Sequence, residues 1–122
     1  MVRQPHKHHE GTIDNALCQS MIDRFRCMMR EMVILDPPAP AECPALHVYD
    51  EDTWMDCKHD WLHQMWYSVC RLQEVQQHIA HGGEIKAGYH DNIVDICLSI
   101  QADFEDAKAR NFTKARYSSQ ES

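Results

Sequence analysis

The sequence predicts an all-α fold, a three-helix bundle of long amphipathic helices with a proline-rich linker between the first and the second. Three observations carry this. Apolar residues recur at steps of three and four over three long windows. Proline or glycine closes the first two windows. No run alternates apolar and polar residues with the two-residue period of a strand.

The first window runs from Ile13 to Leu35, where Cys18, Ile22, Phe25, Met29 and Met32 form a stripe widened by Met21, Met28 and Leu35. Thr12 is the expected N-cap, with Asp14 in the first turn where negative charge suits the helix dipole. Asp36-Pro37-Pro38 ends the helix, because proline lacks an amide hydrogen and disfavours helical backbone before it. The predicted rod is roughly 34 Å long at about 1.5 Å per residue. The linker "DPPAPAECPALHVYDED" is too proline-rich for a central strand or a helix, and its length leaves the direction of the second helix open.

The second helix is expected from Asp52 or Thr53, with Thr53 and Asp56 as an approximate capping signal, to His81 before Gly82-Gly83. Trp54, Trp61, Leu62, Met65, Val69, Leu72 and Ile79 share one side of it and are the expected core face. The short connection "HGGEIKAGYH" turns the third helix back antiparallel to the second. In that third helix Ile93, Ile96, Cys97, Ile100, Phe104 and Ala107 make the stripe, and Lys108, Arg110, Lys114 and Arg116 place positive charge toward its C-terminal end. The chain divides into a polar N-terminal extension (1–11), a single helical domain (12–116) and a polar C-terminal tail (117–122). Three helices with one wide methionine-rich face are expected to leave apolar surface uncovered, which invites a fourth helix from a partner.

Composition bounds the function. The 122 residues suit one domain, and a formal charge of −7 speaks against nucleic acid, whose phosphates need a basic footprint. No run approaches the roughly 20 apolar residues that span a bilayer. The N-terminal "MVRQPHKHHEGT" lacks the apolar core of a secretory signal, so a soluble or peripheral protein without a membrane span is expected.

The stretch "TWMDCKHDWLHQMWYSVCRL", residues 53–72, is unusually rich in tryptophan, histidine and cysteine. Projected on a helix, His59, His63, Trp66, Cys70, Gln77 and His81 collect opposite the core stripe, so the second helix has two sticky faces where a solvated helix has one. An aromatic residue outside the core face is a common interface anchor, and Trp66 makes this side the expected contact with another chain or with the folded-over linker. The same segment allows a metal reading. His59 and His63 at i and i+4 point one way, as zinc or iron ligands on a helix do, with Asp56 one turn earlier. The order His47, Glu51, His59, His63, His90, Asp95 resembles that of hemerythrin-like di-iron bundles, but only eight residues separate Glu51 from His59, too few for a helix, a turn and a second helix.

No catalytic residues are predicted, and no cofactor. The chain contains no Ser-His-Asp signal, phosphate-binding loop or dinucleotide fingerprint. "HGGE" at 81–84 reads as a helix C-cap and turn, and the pairs Asp91/Asp95 and Asp103/Asp106 read as a solvated face.

Six cysteines, at positions 18, 27, 43, 57, 70 and 97, permit three disulfides in fifteen pairings, and no C-x-x-C occurs. Buried free thiols and a disulfide framework both remain open, with Cys18, Cys27, Cys43, Cys57 and Cys70 the disulfide candidates. "WMDC" at 54–57 followed by "CRLQEVQQ" at 70–77 resembles the twin-cysteine segment of the PDSW-type accessory subunit of mitochondrial respiratory complex I, and "CKHDW" at 57–61 resembles twin-cysteine helical-hairpin (CHCH) subunits. The resemblance implies a catalytically silent subunit in the intermembrane space or on the inner-membrane surface, where disulfides form. The spacing departs from the hairpin pattern. Cys18 and Cys27 are nine apart, and Cys57 and Cys70 thirteen, so each pair faces opposite ways on an ideal helix. A two-disulfide ladder then needs interrupted helices or pairing through Cys43.

The expected function is a non-catalytic accessory subunit that binds other protein subunits within a larger assembly. The rival from another class is a small zinc- or iron-binding helical protein or enzyme using His59 and His63. A viral or phage helical protein that binds a host protein shares the same physics.

Overall fold

The computed structural model describes residues 9, 11–36, 51–110 and 112, and shows three helices: α1 (Asn15–Ile34), α2 (Glu51–Ala80) and α3 (His90–Ala109). Among the described residues there is no strand, so the all-α three-helix bundle stands. The linker residues 37–50, Lys114, Arg116 and the tail 117–122 lie outside the described residues.

α1 starts two residues later than the expected cap. Asp14, not Thr12, is the N-cap: its backbone is extended (φ −139°) and its carboxylate accepts the Leu17 amide at 2.8 Å. The preceding Ile13 is buried and enters the same core as Cys18 at the fourth helical position, which fixes the entry angle of the chain. The other end of α1 has no basic residue in its last turn, yet its orphan carbonyls are not abandoned. Lys58 of α2 reaches across and donates from Nζ to the carbonyls of Val33 (2.7 Å) and Leu35 (3.0 Å). This cap places the start of α2 beside the end of α1. At the opposite end the Gln76 side chain donates to Gln19 Oε1 at 3.0 Å, so α1 and α2 are antiparallel.

α2 is already helical at Glu51, so Thr53 and Asp56 sit inside it and do not cap it. Its C-terminus is a Schellman turn. The Gly83 amide donates to the His78 carbonyl at 2.9 Å and the Gly82 amide to the Ile79 carbonyl at 2.9 Å, with Gly82 in the left-handed region at φ +79°. The "HGGE" segment is the helix end that its glycines predict. α3 returns antiparallel to α2, and Gln101 Nε2 donates to the Met21 carbonyl of α1 at 3.3 Å. Ion pairs Arg24–Glu105 and Lys108–Glu31 (2.9 Å) tie α3 to α1 along its polar edge.

The core is filled from all three helices by Met21, Ile22, Phe25, Met28 and Met32, by Trp54, Met65, Val69, Leu72 and Val75, and by Ile93, Val94, Cys97 and Phe104. Each such large apolar side chain contributes roughly 1.5–3 kcal/mol by leaving water. Trp61, Leu62 and Ile79 are half-buried and pack against this core from its margin. Ile96 departs from its expected place: it is half exposed, because Val94 and Cys97 set the buried edge of α3 and leave Ile96 on the other flank. Beyond α3 the chain folds Phe112 back into the core. Phe112 has φ 56°, an uncommon conformation for a residue with a Cβ, and it is held by edge-on contact with Trp54 (5.6 Å) and by Phe104 (5.9 Å). Burying this ring outweighs a backbone cost of about 1–2 kcal/mol.

No disulfide joins the described cysteines; of the two readings left open, Cys18, Cys27, Cys57, Cys70 and Cys97 take the free-thiol one in this structure. Helix geometry gives the reason. Cys18 is buried on the core side of α1 while Cys27, half a turn out of phase, is exposed; Cys57 and Cys70 are separated along one unbroken helix by roughly 20 Å at about 1.5 Å per residue. Cys43 lies outside the described residues. Burial raises the pKa of the Cys18 thiol, and that of Cys97 to about 11. Native alkylation followed by intact-mass analysis should therefore modify exposed Cys27 first and leave Cys18 and Cys97 unmodified until the fold is opened. Fast labelling of Cys97 in the folded protein would contradict this packing.

Candidate protein-docking groove

An open groove of about 770 Å³ runs between α1 and α2, lined by Met29, Arg30, Val33 and Ile34 of α1 and by Leu62, His63 and Trp66 of α2. Its position follows from the two helical projections. On α1 the residues facing α3 are Met21, Arg24 and Glu31, and at about 100° per residue Met29, Val33, Arg30 and Ile34 fall on the other flank. On α2 the contacts to α3 come from Trp61, whose ring meets Phe104 at 5.3 Å, and Ser68, whose carbonyl faces Cys97 Sγ at 4.0 Å. Leu62, Trp66 and His63 again lie on the far flank. The groove is thus on the side of the α1–α2 pair that α3 leaves uncovered.

Three of the exposed large apolar residues, Val33, Ile34 and Trp66, line this groove together, while Met55, Tyr67, Tyr89 and Ile96 lie outside its lining. Ile34 is 78% exposed, Val33 57% and Trp66 55%, although all three stand on well-formed helices beside the core. Lys58, by binding the last carbonyls of α1, fixes the distance between the two walls at the end nearest Ile34.

Of the six residues expected on the second face of α2, the groove gathers His63 and Trp66. His59 is exposed one turn earlier, and Cys70 is half-buried one turn later. Gln77 and His81 are exposed at the far end, where the His81 ring bonds to the Gln77 carbonyl (2.8 Å) and serves the helix terminus. The α1 wall was only partly legible: the methionine-rich stripe points to Met29, whereas Val33 and Ile34 fall outside it. The signal was the unbroken apolar run at 32–35, longer than one stripe requires.

His59 and His63 are both exposed, and the His63 ring stacks on Tyr67 at 6.5 Å. Among the described residues no group of three or more His, Cys, Asp or Glu side chains is placed to hold a metal ion, so the pair lacks a third ligand there. Of the di-iron order, His47 lies outside the described residues, while His90 and Asp95 serve other contacts. Asp95, with Asp91, clamps His9: Oδ1 of Asp95 accepts the His9 amide at 3.0 Å and meets its Nδ1 at 2.8 Å, and Asp91 is 3.4 Å from Nε2. The pair expected on a solvated face docks a residue of the N-terminal extension onto α3.

His90 is buried at the first position of α3, and its ring lies 4.6 Å from that of His78. The Lys86 amide donates to His90 Nδ1 at 2.8 Å, so this nitrogen carries no proton. His78 Nε2 in turn meets the Glu84 carbonyl at 2.7 Å, and the two rings organise the whole α2–α3 turn. A Cβ at Gly83 would overlap the His78 ring, so Gly83→Ala should expel that ring and lower the thermal midpoint, by about 1 kcal/mol or more for the lost hydrogen bond and stacking. An unchanged melt would show that the ring pair does not hold the turn.

Burial lowers the His90 pKa below its ordinary 6.5, with His78 and Lys86 adding to the effect and Asp91 opposing it. The sign follows by linkage. Below pH 6.5 the unfolded chain takes up a proton that folded His90 refuses, so stability is full above that pH and declines as pH falls through it toward the lowered folded value. Urea midpoints at about pH 7.5 and 5 should differ less in His90→Asn, whose side-chain oxygen can still accept the Lys86 amide, than in the wild type.

Comparison with protein-family models, with curated proteins and with solved structures found no match. Among the described residues no helix is long and apolar enough to cross a membrane.

Proposed function

We propose that this protein is a non-catalytic helical subunit whose α1–α2 groove receives a helix from another protein. The observation that carries the reading is the concentration of exposed Trp66, Val33 and Ile34 along one groove beside an otherwise well-filled core. Contiguous apolar surface of this kind marks interaction sites in folded proteins, and a half-exposed tryptophan is a favoured anchor. A groove between two antiparallel helices has the shape for helix-in-groove recognition, where the incoming helix supplies apolar residues at i, i+3 or i+4, and i+7. His63 then acts as a rim contact rather than a metal ligand.

The twin-cysteine resemblance suggests a mitochondrial respiratory complex as the setting. In that case disulfides would form through Cys43 or with a partner subunit, and intact mass before and after reduction of the assembled protein reads this directly. Six thiols free in the native assembly would remove that setting and leave the groove reading in place.

The test of the groove uses a photo-crosslinking residue at Val33, with the same residue at Asp103 on the exposed side of α3 as control. A defined crosslinked protein is expected from position 33 and not from 103, and it should vanish in Trp66→Ala while the far-ultraviolet circular dichroism stays helical. Equal crosslinking with Trp66→Ala would overturn the reading.

A further inference from the structure

We infer that the helix bound by this groove is acidic along its flanks, a chemistry that rests on the docking reading and goes beyond it. The ionisable residues in the groove wall are Arg30 and His63, one from each helix and both basic, in a chain whose formal charge is −7. Arg26, one turn before Arg30, is exposed on the same flank of α1. Elsewhere on α1 the cation Arg24 is committed to Glu105, but among the described residues neither Arg26 nor Arg30 pairs with a carboxylate. The guanidinium of Arg30 donates to the Cys27 thiol at 3.3 Å, a weak acceptor that leaves its other donors available. Asp56 and Asp60 precede the lining residues of α2 and form no part of the groove.

Guanidinium groups beside an apolar groove select carboxylates, because their paired donors match a carboxylate and partial burial on docking strengthens the contact. The walls extend only from Met29 to Ile34 and from Leu62 to Trp66, so the occupant engages about two turns. It presents apolar residues at i, i+3 or i+4, and i+7 to Val33, Ile34 and Trp66, with Glu or Asp beside them for Arg26, Arg30 and His63. A second copy of this chain is a poor occupant in a two-fold arrangement. An isologous contact sets the same patch against itself, which brings Arg30 and His63 toward their own counterparts.

Selection from a display library of helical peptides of about 15 residues, long enough for a marginal isolated helix, tests this with the full chain as bait. Binders that fail on Trp66→Ala are kept and measured by fluorescence anisotropy at low and high salt. The expected binders carry the apolar spacing with acidic flanks, lose about tenfold or more in affinity on Arg26→Glu/Arg30→Glu, lose less on Arg30→Gln, and bind more tightly at low salt. Trp66-dependent binders with neutral or basic flanks would overturn the acidic chemistry and leave the groove. A library with no Trp66-dependent binder would overturn both. Sedimentation showing a dimer that Trp66→Ala dissociates would assign the groove to a second copy and overturn the inference.

Discussion

Alanine at Phe104 is expected to lower stability by about 3–5 kcal/mol, a large share of the roughly 5–15 kcal/mol available to a domain of this size. Phe104 is fully buried and carries the C-terminal half of α3. The edge of the Trp61 ring meets it from α2 at 5.3 Å, Phe112 closes over it at 5.9 Å, and Lys108 Nζ sits 5.7 Å from its centroid. Truncation opens a cavity among these groups, and it also removes a support of the strained Phe112 backbone, so the damage spreads past one side chain. Urea denaturation gives the total loss. Hydrogen exchange should place it unevenly, with protection lost first beyond Gln101 while α1 and the middle of α2 hold. A loss below about 1 kcal/mol would mean that the cluster collapses around the gap and that α3 is anchored elsewhere.

The helices of this fold are legible in the sequence because periodicity and terminators agree. The Cys18–Met32 stripe and the Gly82-Gly83 stop each rest on local chemistry, and the structure places them where that chemistry requires. Caps were less legible. Thr12 and Asp14 are both competent N-caps, and the choice falls on Asp14 because Ile13, the residue just before it, is buried in the core, a tertiary effect. The only local cap bond at the α1 C-terminus among the described residues is the long one from the Leu35 amide to the Met32 carbonyl (3.4 Å), and Lys58, which binds the last carbonyls, comes from 23 residues beyond Leu35. Phe112 was illegible for the same reason: its burial depends on Trp54 and Phe104 arriving from two other helices.

The candidate site divides the same way. Trp66 and His63 stand out on one helix by projection, since an aromatic opposite a core stripe is visible without knowing the fold. His59, Cys70, Gln77 and His81 share that projection, but a groove needs a second wall, and α1 supplies one only along about two turns. Which part of a sticky face becomes a site is set by the neighbouring helix. The histidine pair at the α2–α3 turn shows the converse: His78 and His90 are twelve residues apart, and only the Schellman turn brings the rings together.

Glutamate at both Ile34 and Trp66 should abolish helix docking while leaving a folded protein that still melts cooperatively. Ile34 is 78% exposed and its removal from the free protein costs within about 0.5 kcal/mol, whereas Trp66, at 55%, gives up the buried part of its ring, about 1–3 kcal/mol. Helix propensity does not oppose the change, since glutamate ranks above both isoleucine and tryptophan. For Ile34 the last turn of α1 is the less favourable place for negative charge, a cost of about 0.3–1 kcal/mol that Lys58, already on the neighbouring carbonyls, reduces. For docking the same two changes are severe, because truncating a central aromatic anchor loses about 2 kcal/mol or more, and two buried carboxylates facing acidic flanks add repulsion. A thermal melt beside crosslinking yield from position 33 separates the two effects. A cooperative melt lowered by no more than about 3 kcal/mol, with crosslinking lost, marks a surface kept apolar for a partner, whereas loss of the cooperative melt would mean that Trp66 and Ile34 belong to the core of this chain and that the groove is part of its own packing.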